Sequence, residues 1–222
     1  MEEHIVKLLS TENVTHNVKQ FNVEKPEGYE YQPGQATEMS INSPLLKEER
    51  RPFTFTSLGD SDSLQFTIKI YDDHEGVTKA LGSLKPGDEL IIHDVWGAIT
   101  YKGPGTFIAG GAGVTPFIAI FRQLYKDGKI DGNKLIFSNR TSNDIILKDE
   151  FSKMLGKNFI NVITNETTPE YEHARIDKDY LKKKVTDFKQ HFYICGPDPF
   201  VEDIKKALGE LGADVESVVF EH

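Results

Sequence analysis

From His4 to about Thr100 the apolar positions fall in short runs rich in β-branched and aromatic residues: HIVKLLS, HNVKQFNV, QATEMSI, FTFTS, LQFTIKI and ELIIHDVW. Turn chemistry separates them, as in PEG, QPGQ and KPGD. Runs of this kind bounded by Gly and Pro are strand signals, and their succession predicts an antiparallel barrel or sandwich. After Gly105 the pattern changes. The apolar runs TFIAG, KLIFS, FINVIT, HFYICG and ESVVFE alternate with helical stretches, which predicts a parallel sheet with crossover helices. The change of pattern sets the boundary at YKGPG, so two domains are expected, residues 1–102 and 103–222. Neither an internal repeat nor a low-complexity tract is visible, and the lysines at 182–184 read as the solvated face of a helix.

The stretch FIAGGAGVTPFIAIFRQLY, residues 107–125, sits at the first strand-to-helix turn of the second pattern. Phe107, Ile108 and Ala109 read as a buried strand, while Phe117, Ile120, Phe121, Leu124 and Tyr125 follow the spacing of one helix face. Thr115 reads as the N-cap and Pro116 as the first helical residue. Gly110, Gly111 and Gly113 occupy the turn itself. They are either a tight βα turn and nothing more, or an opening through which a dinucleotide pyrophosphate reaches the N–H groups of the first helical turn. The stretch departs from the usual G-x-G-x-x-G fingerprint, because Pro116 stands where its third glycine would be. No acidic residue follows the second strand to hold a ribose. KLIFSNR ends instead in Asn139-Arg140, and a guanidinium there suits a ribose phosphate or pyrophosphate, although spacing alone equally allows a plain surface arginine.

A second strand exit, HFYICGPDPF, ends abruptly in Cys195-Gly196-Pro197. Ligands of open parallel sheets bind at the carboxyl ends of the strands, so Cys195 would share a rim with residues 111–115. A lone cysteine is by default a small hydrophobe; its place at a strand exit makes it a candidate wall of a nicotinamide pocket. Beyond it Phe200, Val201, Ile204, Leu208 and Leu211 predict an amphipathic helix ended by Gly212. In the β region RRPFTFTS places Arg51 and Phe53 on one face of a strand and Thr54 on the other. Alone, that segment is an ordinary edge strand.

Composition removes several alternatives. A net charge of −9 argues against a generic nucleic-acid or anionic-membrane surface. No apolar run reaches the ~18 residues of a membrane helix, and the start MEEHIVKLLS is acidic, so a soluble cytoplasmic protein is expected. One cysteine excludes an intrachain disulfide, a cysteine-held iron-sulfur cluster and a four-cysteine zinc site, which leaves redox chemistry to a bound organic cofactor. The seven histidines show no HExxH or comparable ligand spacing, so no metal is expected.

Taken in order, RPFT, HEGVT at 74–78, GGAGVTP at 110–116 and CGP at 195–197 resemble the ferredoxin-NADP reductase superfamily over nearly the whole chain. The resemblance implies a six-stranded antiparallel flavin-binding barrel followed by a five-stranded parallel nucleotide-binding domain, with the flavin in the crevice between them. It implies Arg51 at the flavin phosphate, with Pro52 beside it, Phe53 against the isoalloxazine where the family usually has Tyr, and Thr54 near flavin N5. Thr67, Ile68, Lys69 and Ile70 would lend backbone groups to the ring edge. Gly76, Val77 and Thr78 would hold a second phosphate, which implies FAD over FMN. On the other domain Gly111, Gly113, Val114, Thr115 and Pro116 would face the pyrophosphate and nicotinamide of NAD(P)H, Arg140 its adenosine portion, and Cys195, Gly196 and Pro197 its nicotinamide. Glu221 matches the family's acidic residue near the carboxyl end. The implied activity is hydride transfer between NAD(P)H and FAD with Thr54, Cys195 and Glu221 at the reacting centre, then electron release to ferredoxin, flavodoxin or a small diffusible acceptor. Lys47, Arg50, Lys182 and Lys184 are the candidate docking patch. The alternative is a non-catalytic flavin-binding subunit that relays electrons inside a larger complex.

Overall fold

The structure, a computed structural model, describes residues 2–72, 76–97 and 99–214 together with the backbone of residues 219–220. The chain divides into two compact units, Met1–Thr100 with Thr115–Gln123, and Tyr101–Val114 with Leu124–His222.

The first unit is a six-stranded antiparallel sheet of β1 (His4–Thr15), β2 (Val18–Glu24), β3 (Gln35–Ile41), β4 (Arg51–Thr54), β5 (Ser63–Lys69) and β6 (Glu89–Gly97), in the order β4-β3-β6-β1-β2-β5. All six apolar runs of the sequence became strands. The sheet closes into a barrel where the chain leaving β4 meets β5: Phe55 bridges Phe66, and Thr56 N–H donates to the Gln65 carbonyl at 2.8 Å. Closure leaves fewer exposed edges. Alternate residues of β2 and β5, including Phe21, Val23, Leu64, Phe66 and Ile68, point into one core with Met39, Leu90 and Ile92.

Tyr29, Tyr31 and Phe55 fill that core from outside the regular strands, with the Tyr31 and Phe55 rings stacked at 4.1 Å. Each phenol tip has a partner, as buried tyrosines require. Tyr29 donates to the His93 carbonyl at 2.6 Å. Tyr31 donates to the Leu58 carbonyl at 2.8 Å and shares a hydrogen bond with Ser57 Oγ at 2.7 Å. The short helix α1 (Val77–Leu81) plugs the barrel with buried Val77 and Leu81.

The second unit is a parallel sheet in the order β10-β9-β8-β7-β11-β12. Its members are β7 (Gly105–Gly110), β8 (Lys134–Asn139), β9 (Phe159–Ile163), β10 (Glu172–His173), β11 (His191–Cys195) and β12 (Val219–Phe220). The five strands expected from the apolar runs are all present, and the two-residue β10 adds an edge. The residues of β7 are buried throughout, as in a sheet covered on both faces. The helices of this unit are α3 (Lys148–Leu155), α4 (Lys178–Lys184) and α5 (Asp198–Glu210), while helix α2 (Thr115–Lys126) groups with the barrel unit over residues 115–123.

Two helix expectations change. Residues Gly111–Val114 already wind as a 3-10 turn, so Thr115 is the first residue of α2 and not its N-cap. In α2, Phe117, Ile118, Ala119, Ile120 and Phe121 are all buried whereas Tyr125 is 44% exposed. No polar residue interrupts positions 116–121, so this helix start is buried on every side and not on one face. Helix α5 ends as expected at Gly212, whose φ of +88° makes a Schellman turn: Gly212 N–H donates to the Gly209 carbonyl and Ala213 N–H to that of Leu208, each at 3.0 Å.

Candidate functional site

On the barrel unit, β4 carries the RPFT motif with Arg51 and Pro52 exposed, Phe53 half-buried against the core and Thr54 buried at 6% exposure. Arg51 donates to the Arg50 carbonyl at 2.6 Å and meets Glu49 at 3.3 Å, a surface contact of little strength. Along β5 the side chains of Ile68 and Ile70 are in the core, so what those positions offer a ligand is backbone. Thr67 donates to Thr56 Oγ1 at 3.2 Å, and Lys69 lies over the Tyr71 ring at 5.5 Å.

Gly76 precedes α1 with φ 142° and no side-chain cap, and a Cβ built on it would meet nothing within 4 Å. Val77 is buried and Thr78 half-buried. His74 and Glu75 of the HEGVT motif lie outside the described residues. An uncapped first turn with room above its glycine and an exposed guanidinium are groups that suit phosphate oxygens.

On the sheet unit the three glycines of the first turn separate by cause. Gly111 has φ +55° with open space where a Cβ would point, the conformation and clearance a close-approaching ligand needs. Gly113 is different: a Cβ there would lie 2.4 Å from the Cys195 carbonyl oxygen and 2.5 Å from Gly196 N. Gly110 and Gly196 are pressed together beneath Phe200, whose ring would stand 3.2 Å and 2.8 Å from their added Cβ atoms. Part of the glycine content therefore answers to the chain's own packing, whatever binds above it. Val114 and Pro116 are buried, so Thr115, half-buried, is the side chain this turn presents. Cys195 pairs with Ala109 across β11 and β7 and is buried at 6% exposure, with Gly196 half-buried and Pro197 exposed after it.

Beside that turn, at the carboxyl ends of β8, β9 and β11, lies a cleft of about 700 Å³ lined by Ser138, Arg140, Thr164, His173, Arg175 and Phe200 among others. This is the rim at which open parallel sheets take ligands. Arg140 is exposed on it. Arg175 meets Asp203 at 3.3 Å in a solvent-facing pair that an incoming anion could displace at small cost. Ring nitrogen Nδ1 of His173 is 2.8 Å from the Glu166 carbonyl oxygen. Arg175, His173 and the covering role of Phe200 escaped sequence reasoning. HAR, residues 173–175, follows no motif, and Phe200 is indistinguishable in sequence from any other helix-face residue.

Glu221 lies outside the described residues. Of the residues expected to dock an acceptor, Arg50 is held by Glu3 at 3.0 Å and Glu38 at 3.9 Å, Lys47 lies 4.0 Å from Glu48, Lys184 pairs with Glu172, and Lys182 is exposed. Among the described residues no helix is long and apolar enough to cross a membrane.

Comparison with known proteins supplies the frame for these groups. Residues 4–89 match the FAD-binding domain family, and residues 107–206 match the oxidoreductase NAD-binding domain family. The chain therefore carries an FAD-binding domain followed by an oxidoreductase NAD-binding domain. It is 25% identical over 214 residues to the reductase component of propane 2-monooxygenase from Rhodococcus jostii, covering 89% of this chain and 56% of that one. It is 32% identical over 187 residues to NADH-cytochrome b5 reductase 1 of Aspergillus terreus, covering 75% of this chain and 62% of the relative. The chain thus spans less than two-thirds of either relative. Its fold matches the ferredoxin NADP+ reductase of Neisseria gonorrhoeae, a structure with bound FAD and NADP, at a TM-score of 0.83 and 20% identity, covering 96% of this chain and 92% of the other.

Proposed function

We propose that this protein takes hydride from NAD(P)H onto bound FAD and delivers the electrons to a separate acceptor protein. The flavin supplies the hydride-accepting ring and the two-electron to one-electron chemistry. What the protein adds is alignment, water exclusion and phosphate recognition.

Arg51 and the first turn of α1 from Gly76 to Thr78 hold the FAD phosphates in this reading, while Phe53 and Thr54 border its ring and the backbone of residues 67–70 meets the ring edge. Thr54 positions the ring and is neither acid nor nucleophile. On the sheet unit the open turn at Gly111 takes the dinucleotide pyrophosphate. Thr115, Cys195, Gly196 and Pro197 border the nicotinamide. The observation that carries the reading is the rim of the parallel sheet, where the positive-φ Gly111 in open space and a cleft bearing two guanidiniums sit at the same strand ends.

That pair of guanidiniums also favours NADPH over NADH. A 2′-phosphate on the cleft would draw Arg140, and Arg175 away from Asp203, into charge-assisted bonds worth about 1.5–3 kcal/mol each. Arg140→Ala is accordingly expected to raise the KM for NADPH about tenfold or more and to leave that for NADH nearly unchanged; equal effects on both would remove the preference. A ferredoxin or flavodoxin is the proposed acceptor class. Its reduction should fall steeply as salt rises, through screening of the encounter with Lys47, Arg50, Lys182 and Lys184, and indifference to salt would favour a small diffusible acceptor instead. The test of the activity is anaerobic addition of NADPH or NADH to the purified yellow protein, with bleaching expected; a flavin that stays oxidised would favour the electron-relay alternative.

A further inference from the structure

Helix α2 brings a guanidinium onto the closing seam of the barrel. Arg122 is half-buried, and its Nη1 donates to the Thr56 carbonyl at 2.6 Å and to Gln65 Oε1 at 2.7 Å. Both acceptors lie where the chain after β4 meets β5, next to the Phe55–Phe66 bridge and the hydrogen bond from Thr56 N–H to Gln65. Gln65 Oε1 also accepts from Thr56 Oγ1 at 3.1 Å and Gln20 Nε2 at 3.3 Å, and its own amide donates to Asn22 Oδ1 at 3.1 Å. Arg122 is therefore anchored in a network that itself spans β2, β5 and the segment after β4. A charged donor with two partly buried acceptors holds its geometry more firmly than a neutral pair.

Two site residues lie a short rigid distance from that anchor. Thr54, the last residue of β4, is two residues before Thr56. Thr115 is two helical turns before Arg122, about 10 Å along a continuous helix. Residues 115–123 belong to the same compact unit as the barrel, and the start of α2 also lies close over Gly34, where an added Cβ would stand 3.1 Å from Ile120 Cδ1.

We propose that Arg122 is a positioning residue, fixing the segment that carries Thr54 against the helix that begins at Thr115. The inference rests on the proposed function. A misplacement of about 1 Å costs up to a hundredfold when two rings must meet in one orientation, so the loss of Arg122 should fall on reduction by nicotinamide and spare flavin binding.

Arg122→Met keeps the packing of the stem and removes the donors. The variant should retain FAD and be reduced by dithionite at the wild-type rate. Its reduction by saturating NADPH should slow about tenfold or more and recover in part on addition of guanidinium ion. Amide hydrogen exchange should quicken in peptides covering residues 54–57 and 115–123. Arg122→Lys and Gln65→Leu should each lose less, and the losses of Arg122→Met and Gln65→Leu should be less than additive in the double variant, because one hydrogen bond is common to both. An unchanged NADPH rate in Arg122→Met, or a loss that only tracks lost FAD, would overturn the inference while wild-type bleaching leaves the proposed function standing. If the wild type itself is not bleached by NADPH or NADH, the proposed function fails and the inference falls with it.

Discussion

The two units build their candidate sites in opposite ways. The sheet unit removes atoms: Gly110, Gly111, Gly113 and Gly196 gather at the ends of β7 and β11, three of them against the chain's own atoms and Gly111 facing open space. The barrel unit places atoms: Arg51, Thr54, Thr56, Gln65 and Arg122 are side chains held by strand register and a hydrogen-bond network. A site made of absences should fail when something is added, and a site made of side chains when something is taken away.

The sharpest break of that contrast is Gly113→Ala. A methyl 2.4 Å from the Cys195 carbonyl oxygen meets backbone that cannot swing aside, and the cost is expected at about 3 kcal/mol or more. Thermal or denaturant unfolding of the variant measures it. Gly196→Ala should cost less, because its hardest contact is the Phe200 ring, which can turn, and the Gly110 backbone stands farther off at 3.3 Å; equal losses would show that the two glycines share a reason.

The barrel side should respond to proton loss. Burial pushes the Tyr31 hydroxyl up to about 12. The ordinary value is about 10, so between these two the unfolded chain gives up the proton first and the folded protein binds more protons. The contribution of this group to stability is then full below about pH 10 and declines as pH rises toward 12, by roughly 2–3 kcal/mol, with the raised Tyr29, Tyr180 and Tyr193 acting in the same direction. Tyr31→Phe, less stable at neutral pH through the lost bonds to Leu58 and Ser57, should show a flatter alkaline profile. The comparison of the two unfolding curves against pH checks the sign.

Arg51→Ala should be smaller in stability and selective in binding. The side chain is exposed, so apo-protein melting should hardly move, while FAD affinity drops by about 1.5–3 kcal/mol, seen as flavin lost on purification. Smallest is Gly111→Ala. It places a side chain at φ +55° in open space, at about 1 kcal/mol of backbone strain with the fold intact. Nucleotide affinity should fall more than stability does, and a purely structural loss would mean that Gly111 serves the turn alone.

Legibility in the sequence follows the same division. Strands of the barrel and sheet could be read because each is one short apolar run closed by Gly, Pro or Asn, and a period of two or a continuous run distinguishes the two sheets. The two residues of β10 carry no pattern at all, and Tyr29 and Tyr31 sit between turn signals although they are core residues. Tyr125 continues the apolar spacing of α2 but falls past the buried stretch and is exposed. At the site, the glycine turn was visible as composition, yet only a built Cβ separates Gly111, which faces space, from Gly113, which faces a carbonyl. Arg122 was invisible because an arginine among apolar helix positions reads as the solvated side until its acceptors are known.

Anaerobic titration of the purified protein with NADPH decides whether this chain moves electrons from a nicotinamide to a flavin it binds. An absorption spectrum of bound FAD that bleaches stoichiometrically is expected, faster with NADPH than with NADH. A protein that binds FAD but keeps its oxidised spectrum with either nucleotide, or that retains no flavin when FAD is supplied, would contradict it.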